Sequence, residues 1–122
     1  IVVSDRNYIT ALVNQGIGRG LGLNRIMSIN KEAVGNIVPD LVILLDYDVN
    51  KSISRVFDKE KDKWEKLGKD FYNLTRKGYL EVSKMKAFKG KWVNIKMEDA
   101  PFEKNFEKVI RKIEKKIEKA KR

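Results

Sequence analysis

An α/β fold with a parallel sheet is predicted for this sequence, on three observations. Leu41-Val42-Ile43-Leu44-Leu45 is an unbroken apolar run held between Pro39-Asp40 and Asp46, as expected of a strand buried on both faces of a parallel sheet. Two other short runs, Ile1-Val2-Val3 and Lys91-Trp92-Val93-Asn94-Ile95, have strand character and lie far apart in the chain. Elsewhere the apolar residues recur every three or four positions, the rhythm of amphipathic helices. The resulting order is β-α-α-β-α-α-β-α, three strands plus crossover helices on both sheet faces. In such folds ligands gather at the carboxyl ends of the strands, and Asp5-Arg6 and Asp46 stand at two of those ends.

The first strand stops at Ser4-Asp5-Arg6, and residues 8–13 form a short helix closed by the stretch Gly16-Ile17-Gly18-Arg19-Gly20-Leu21-Gly22. Leu23, Ile26, Met27, Ala33 and Val34 mark a second helix over residues 23–34, which Gly35-Asn36 ends. After the central strand comes a third helix, residues 49–57, with Ile53, Val56 and Phe57 inward. Residues 58–63 alternate in sign without an apolar rhythm and read as a solvated, mobile link. Trp64, Leu67, Phe71, Leu74, Tyr79, Val82 and Met85 then share one helical stripe, weakened locally by Gly68 and Gly78. The stripe reads as core or dimer contact rather than a platform for stacking bases. Gly90 precedes the third strand, where Trp92 reads as packing. Pro101 suits the first turn of a final helix, whose inward face is Phe102, Phe106, Val109, Ile110, Ile113 and Ile117.

Composition narrows the chemistry. The 122 residues suit one domain and contain neither Cys nor His. That excludes a disulfide scaffold, a thiolate nucleophile, a Cys-ligated zinc site and a Ser-His-Asp triad. Any reaction must run on carboxylates, Lys, Arg, backbone groups and borrowed metal. Net charge is +10, divided as −1 over residues 1–50 and +11 over residues 51–122. A basic half is one mark of nucleic-acid binding, but nucleic acid is not the expected partner. In the tail, Glu103, Glu107, Glu114 and Glu118 interleave with the lysines, which reads as a solvated helix face. No apolar run approaches the ~18 residues of a membrane span, so a cytoplasmic protein is expected. The start at Ile1, inside what reads as a buried strand, leads us to expect a portion of a longer protein.

The most informative stretch runs from Asp5 to Gly22. A carboxylate at a strand tip can hold Mg²⁺, directly or through water, or take a proton from a neighbour. An adjacent Arg presents a planar fork to phosphate oxygens. Thr10, Asn14 and Gln15 are polar side chains suited to a small polar ligand, and the glycines allow close backbone approach. Asp-Arg alone is more often a salt-bridged strand cap. The whole stretch is more specific. Asp5-Arg6-Asn7-Tyr8-Ile9-Thr10-Ala11-Leu12-Val13-Asn14-Gln15-Gly16-Ile17-Gly18-Arg19-Gly20-Leu21 resembles, without a gap, the Asp-Arg-Tyr-x-x-Ser-x-x-Ala-Tyr-Gln-Gly-x-Gly-Arg-Gly-Leu signature of thymidylate (dTMP) kinases, P-loop nucleoside-monophosphate kinases. Ser28-Ile29-Asn30-Lys31-Glu32-Ala33 is similar to the family's following helix, and Pro39-Asp40-Leu41-Val42-Ile43-Leu44-Leu45-Asp46 to its Pro-Asp-Leu-x-x-x-Leu-Asp strand. Lys63-Trp64-Glu65, Phe71 and Thr75-Arg76-Lys77-Gly78-Tyr79-Leu80 resemble its Arg-Phe-Glu … Phe … Val-Arg-x-Gly-Tyr-Leu helix. Residues 1–110 are covered.

The resemblance implies a three-layer P-loop kinase fold and phosphoryl transfer from Mg-ATP to dTMP, usually in a homodimer. It places Asp5 beside the transferring group, as Mg²⁺ partner or proton acceptor, and Arg6 on the dTMP phosphate. Thr10, Asn14 and Gln15 would lie along the thymine and deoxyribose. Arg55, Lys61 and Lys63 would belong to a lid over ATP (residues 55–66), with Arg76 on the helix beyond. The loop Lys96-Met97-Glu98-Asp99-Ala100 corresponds to the segment bordering adenine. Such chemistry needs neither His nor Cys, since positioning and cationic stabilisation do most of the work.

Three residue types depart from the family pattern. Asn7 replaces a Tyr, Asn14 replaces an aromatic that crowds the sugar 2′ position, and lysines replace lid arginines. No G-x-x-x-x-G-K-[ST] motif occurs. In the family that loop lies upstream, on a strand placed between those at Val2-Val3 and residues 41–45. These residues are therefore expected to be the C-terminal portion of a domain of roughly 200 residues. Alone, they should form an incomplete or rearranged sheet and be inactive. The alternatives are a basic α/β nucleic-acid-binding module, or a nucleoside-monophosphate kinase with another base preference.

Overall fold

The computed structural model describes the backbone of residues 1–56 and 62–122, and the side chains of residues 1–54 and 68–122. Helix α1 (Tyr8–Ala11) starts at Asn7, whose Oδ1 accepts the Ile9 N–H at 2.9 Å. Asn7, a departure from the family pattern, thus serves as a helix cap. The helix does not stop at residue 13 as expected. It widens into a π-helical segment, Leu12–Gly18, and the Arg19 N–H reaches back five residues to the Asn14 carbonyl at 3.0 Å. Helix α2 spans Leu23–Val34 and ends at Gly35, whose φ of 61° is easily reached only without a Cβ. There follow β1 (Val42–Asp46), α3 (Val49–Val56), α4 (Asp62–Ser83), a single 3₁₀ turn (Lys86–Phe88), β2 (Trp92–Lys96) and α5 (Phe102–Lys121).

Strands β1 and β2 pair in parallel, Val42 opposite Trp92 and Asp46 opposite Lys96. The parallel α/β architecture is as expected, but the sheet has two strands among the described residues, not three. Ile1, Val2 and Val3 are 84–100% exposed and pair with neither strand. A strand exists only by virtue of a neighbour, and no described residue pairs with this run. Nor is β1 buried on both faces as expected: residues 41–44 are half-buried and Leu45 is exposed.

The core lies elsewhere. Ile9, Leu12, Val13, Ile26, Val82 and Phe88 form one buried cluster joining α1, its π-helical extension, α2, the end of α4 and the 3₁₀ turn. Phe88 meets the Trp92 ring edge-on at 5.8 Å, which ties this cluster to β2. The expected stripe of α4 is buried in part, and the expected inward face of α5 is corrected. On α4 the stripe is buried at Val82, while Phe71 and Leu74 are exposed; Trp64 and Leu67 lie outside the described side chains. On α5, Phe102 and Phe106 stack on each other at 5.4 Å in solvent, and Val109, Ile110, Ile113 and Ile117 are half-buried. A helix of 20 residues is about 30 Å long, and a sheet two strands wide offers too little surface to cover it.

Gly78 sets how closely α4 can approach the π-helical segment. A Cβ there would stand 2.9 Å from Val13 Cγ1 and 3.4 Å from Ile17 Cδ1. Val13 is fully buried and stiff at χ1, so it cannot yield cheaply. Gly78→Ala is expected to lose about 1 kcal/mol of stability, the overpacking outweighing the helix-propensity gain of about 1 kcal/mol. Urea unfolding measures this, and an unchanged or higher midpoint would remove the close-approach role.

Candidate active site

The carboxyl end of the sheet is organised by Asp46, the last residue of β1. Arg76 on α4 grips it with a two-point fork, Nε to Oδ1 at 2.7 Å and Nη2 to Oδ2 at 2.7 Å. The fork holds the Asp46 carboxyl below its ordinary range, and in return Arg76 is held still more firmly charged. One turn along α4, the Tyr79 hydroxyl lies 3.2 Å from Thr10 Oγ1. Residues three apart share a helix face. A single turn of α4 therefore touches both the strand end and the signature segment.

Beyond β2, the loop of residues 97–100 continues the sheet edge. The Met97 N–H donates to the Asp46 carbonyl at 2.8 Å. Asp99 accepts from the Tyr47 hydroxyl at 3.3 Å and pairs with Lys51 at 3.5 Å, tying this loop to the start of α3. Glu98 lies between Lys104 at 2.8 Å and Lys108 at 2.9 Å, and these ammonium groups pull its pKa down to about 2. Asn105, the one buried polar residue among those described, accepts the Glu98 N–H at 3.1 Å and donates to the Glu98 carbonyl at 2.9 Å.

At the signature segment, Asp5 and Arg6 are exposed, and neither forms an ion pair among the described residues. Arg6 has φ 66°, and the Ser4 hydroxyl donates to its carbonyl at 2.6 Å. For a bulky non-glycine residue this left-handed backbone is costly, as is common where a site dictates conformation. Asn14 and Gln15 are exposed on the π-helical segment, a helix type frequent at functional sites. Asp5 is thus uncommitted and fits a role as one carboxylate toward a hydrated Mg²⁺, which typically takes one or two carboxylates plus water and phosphate oxygens. No group of three acidic residues gathers to assist it among the described residues.

The expected residues are therefore brought together in part. Arg76 is committed to Asp46, and Thr10 to Tyr79 on the same helix, but no hydrogen bond joins Asp5 or Arg6 to either pair. The Arg55, Lys61 and Lys63 side chains lie outside the described residues. An open groove of 520 Å³ at the amino end of β2, between Ser83, Lys84, Phe88 and Trp92, contains none of these groups. Sequence reading missed Asn105, although it left a signal. It lies three residues after Phe102 and four before Val109, a polar residue within the apolar stripe.

Comparison with known proteins now decides the family. The thymidylate kinase family model matches residues 1–119. The chain belongs to the thymidylate kinase family. It is 42% identical over 83 residues to a thymidylate kinase of Desulforudis audaxviator, covering 68% of this chain and 38% of that protein. With a thymidylate kinase of Finegoldia magna it shares 36% identity over 83 residues, 67% of this chain and 41% of the relative. With that of Bacillus licheniformis it shares 35% over 95 residues, 75% of this chain and 44% of the relative. The chain thus spans about two-fifths of the length of these curated relatives. No described helix is long and apolar enough to cross a membrane.

The Asp46 and Glu98 carboxyls are both depressed, so each stabilises the fold fully above its unfolded value near 4 and loses that effect as pH falls through its folded value. Stability is therefore expected to decline as pH drops from about 4.5 toward 2. Asp46→Asn should cost about 1 kcal/mol at pH 7, limited by the half-exposure of Arg76, and should flatten that acid limb. Urea titrations at pH 7 and pH 3 measure both effects. An acid limb unaltered in the variant would show that the fork contributes nothing.

Proposed function

We propose that these residues form the monophosphate-binding and lid portion of a cytoplasmic, homodimeric enzyme that transfers the γ-phosphoryl group of Mg-ATP to dTMP, giving dTDP. The observation that carries the reading is the signature at residues 5–21, continuous within a family match over residues 1–119. Relatives of which the match covers only about two-fifths support a P-loop supplied outside these residues, which alone would be inactive.

In this reading Arg6 binds the dTMP phosphate through its planar fork. Its exposure without an ion-pair partner leaves the guanidinium free to do so. Asp5 receives the attacking phosphate's proton or holds a metal-bound water. Mg²⁺, when bound, neutralises charge on the phosphoryl oxygens. Thr10, Asn14 and Gln15 orient the nucleoside; Thr10 does so from a position fixed by Tyr79. Arg55, Lys61 and Lys63 supply cations from the lid, and Arg76 stands behind them, aimed by Asp46. Lysine acts as a point charge where the family has arginine forks.

A second reading within the class is favoured by Asn14. It is exposed where the family carries an aromatic against the sugar, so another nucleoside monophosphate is the alternative substrate. Rates with dTMP, dUMP, UMP and CMP, compared side by side on the full-length protein, separate the two. In the same protein Arg6→Ala should lower kcat/KM for the monophosphate about 100-fold, the loss of a charge-assisted fork. An unaltered value would overturn the role of Arg6.

A further inference from the structure

We infer that Asn105 is a positioning residue for the loop Lys96-Met97-Glu98-Asp99-Ala100, fixing the main chain that the kinase reading sets against the adenine of ATP; the inference rests on that reading. Asn105 is 8% exposed, and its amide takes both main-chain groups of Glu98 in the manner of a strand partner. It therefore holds the loop by its backbone at the residue after Met97, whose N–H closes onto the Asp46 carbonyl. Asp46 in turn aims Arg76. The following residue, Asp99, contacts Tyr47 and Lys51 at the start of α3. One buried amide thus sits where the β2 loop, the end of β1 and the entry to α3 meet, at the carboxyl end of a parallel sheet. Ligands of such sheets lie there. The Lys104 ion pair to the Glu98 side chain is exposed and the Lys108 pair partly so, and exposed pairs hold geometry weakly.

Two readouts test this, on Asn105→Leu and Asn105→Asp, with Lys104→Gln as the ion-pair control. Amide hydrogen exchange in this chain should show the Glu98 N–H protected in the parent and in Lys104→Gln. In Asn105→Leu, which keeps the branched shape and loses both bonds, its exchange should be at least tenfold faster. Equal exchange in Asn105→Leu and in the parent would overturn the clamp. In the full-length protein, both Asn105 variants should raise KM for ATP about five- to tenfold, with KM for dTMP and kcat within twofold of the parent. Equal rises in both KM values, a fall in kcat alone, or a matching rise in Lys104→Gln would overturn the positioning role. Should Asn105→Leu fail to fold, Asn105→Asp decides, since it keeps the acceptor for the Glu98 N–H and loses only the donor. A full-length parent without ATP-dependent turnover overturns the kinase reading and the ATP role with it, while the exchange result still judges the clamp.

Discussion

The close approach of α4 to the π-helical segment is the constraint from which the other contacts follow. With no Cβ at Gly78, the helix lies against Val13 and Ile17, and the cluster around Leu12, Val82 and Phe88 closes beneath it. Interiors packed to this density do not deform continuously, so the rotation of α4 about its own axis is fixed there. That rotation points Tyr79 toward Thr10 and, one turn earlier, Arg76 toward Asp46. A glycine thereby aligns two polar contacts in which it takes no part.

Charge is used in two different ways at the sheet end. The framework charges are committed: Asp46 to Arg76, Glu98 to Lys104 and Lys108, Asp99 to Lys51. The signature charges, Asp5 and Arg6, have no ion-pair partner among the described residues. A group already held by a protein partner meets a ligand only with its remaining donors, whereas an open guanidinium has all of them to offer. The ion pairs themselves therefore separate charges tied to the framework from charges left open.

Local signals were readable in sequence, and tertiary ones were not. Helix α2 is found at residues 23–34, as expected, because its apolar rhythm and its terminating Gly35 are both local. Strands β1 and β2 fall within one residue of their expected bounds, and α5 starts immediately after Pro101. The π-helical widening was not legible, since sequence rhythm does not specify which carbonyl a given N–H will reach. Ile1-Val2-Val3 has every local property of a strand except a partner. Gly78 read only as a weakness in a helical stripe, because the side chain it accommodates lies 65 residues earlier in the chain, at Val13. Asp46 and Arg76 each drew notice separately, but a pairing across 30 residues belongs to the fold. Thr10, Asn14 and Gln15 were marked by motif, while the tie from Thr10 to Tyr79 was not.

The left-handed backbone of Arg6 bears on how this sequence can drift. Glycine at position 6 would relax the backbone, and asparagine would tolerate it better than arginine does. Each is thus favoured by folding and disfavoured by any demand for a guanidinium. While selection for the charge persists, the position stays frozen against its own conformational preference. In a gene copy released from that demand, codon 6 would be among the early positions to wander, and toward those two residues. An arginine retained there against that drift would mark a lasting demand for its charge, legible in a single residue.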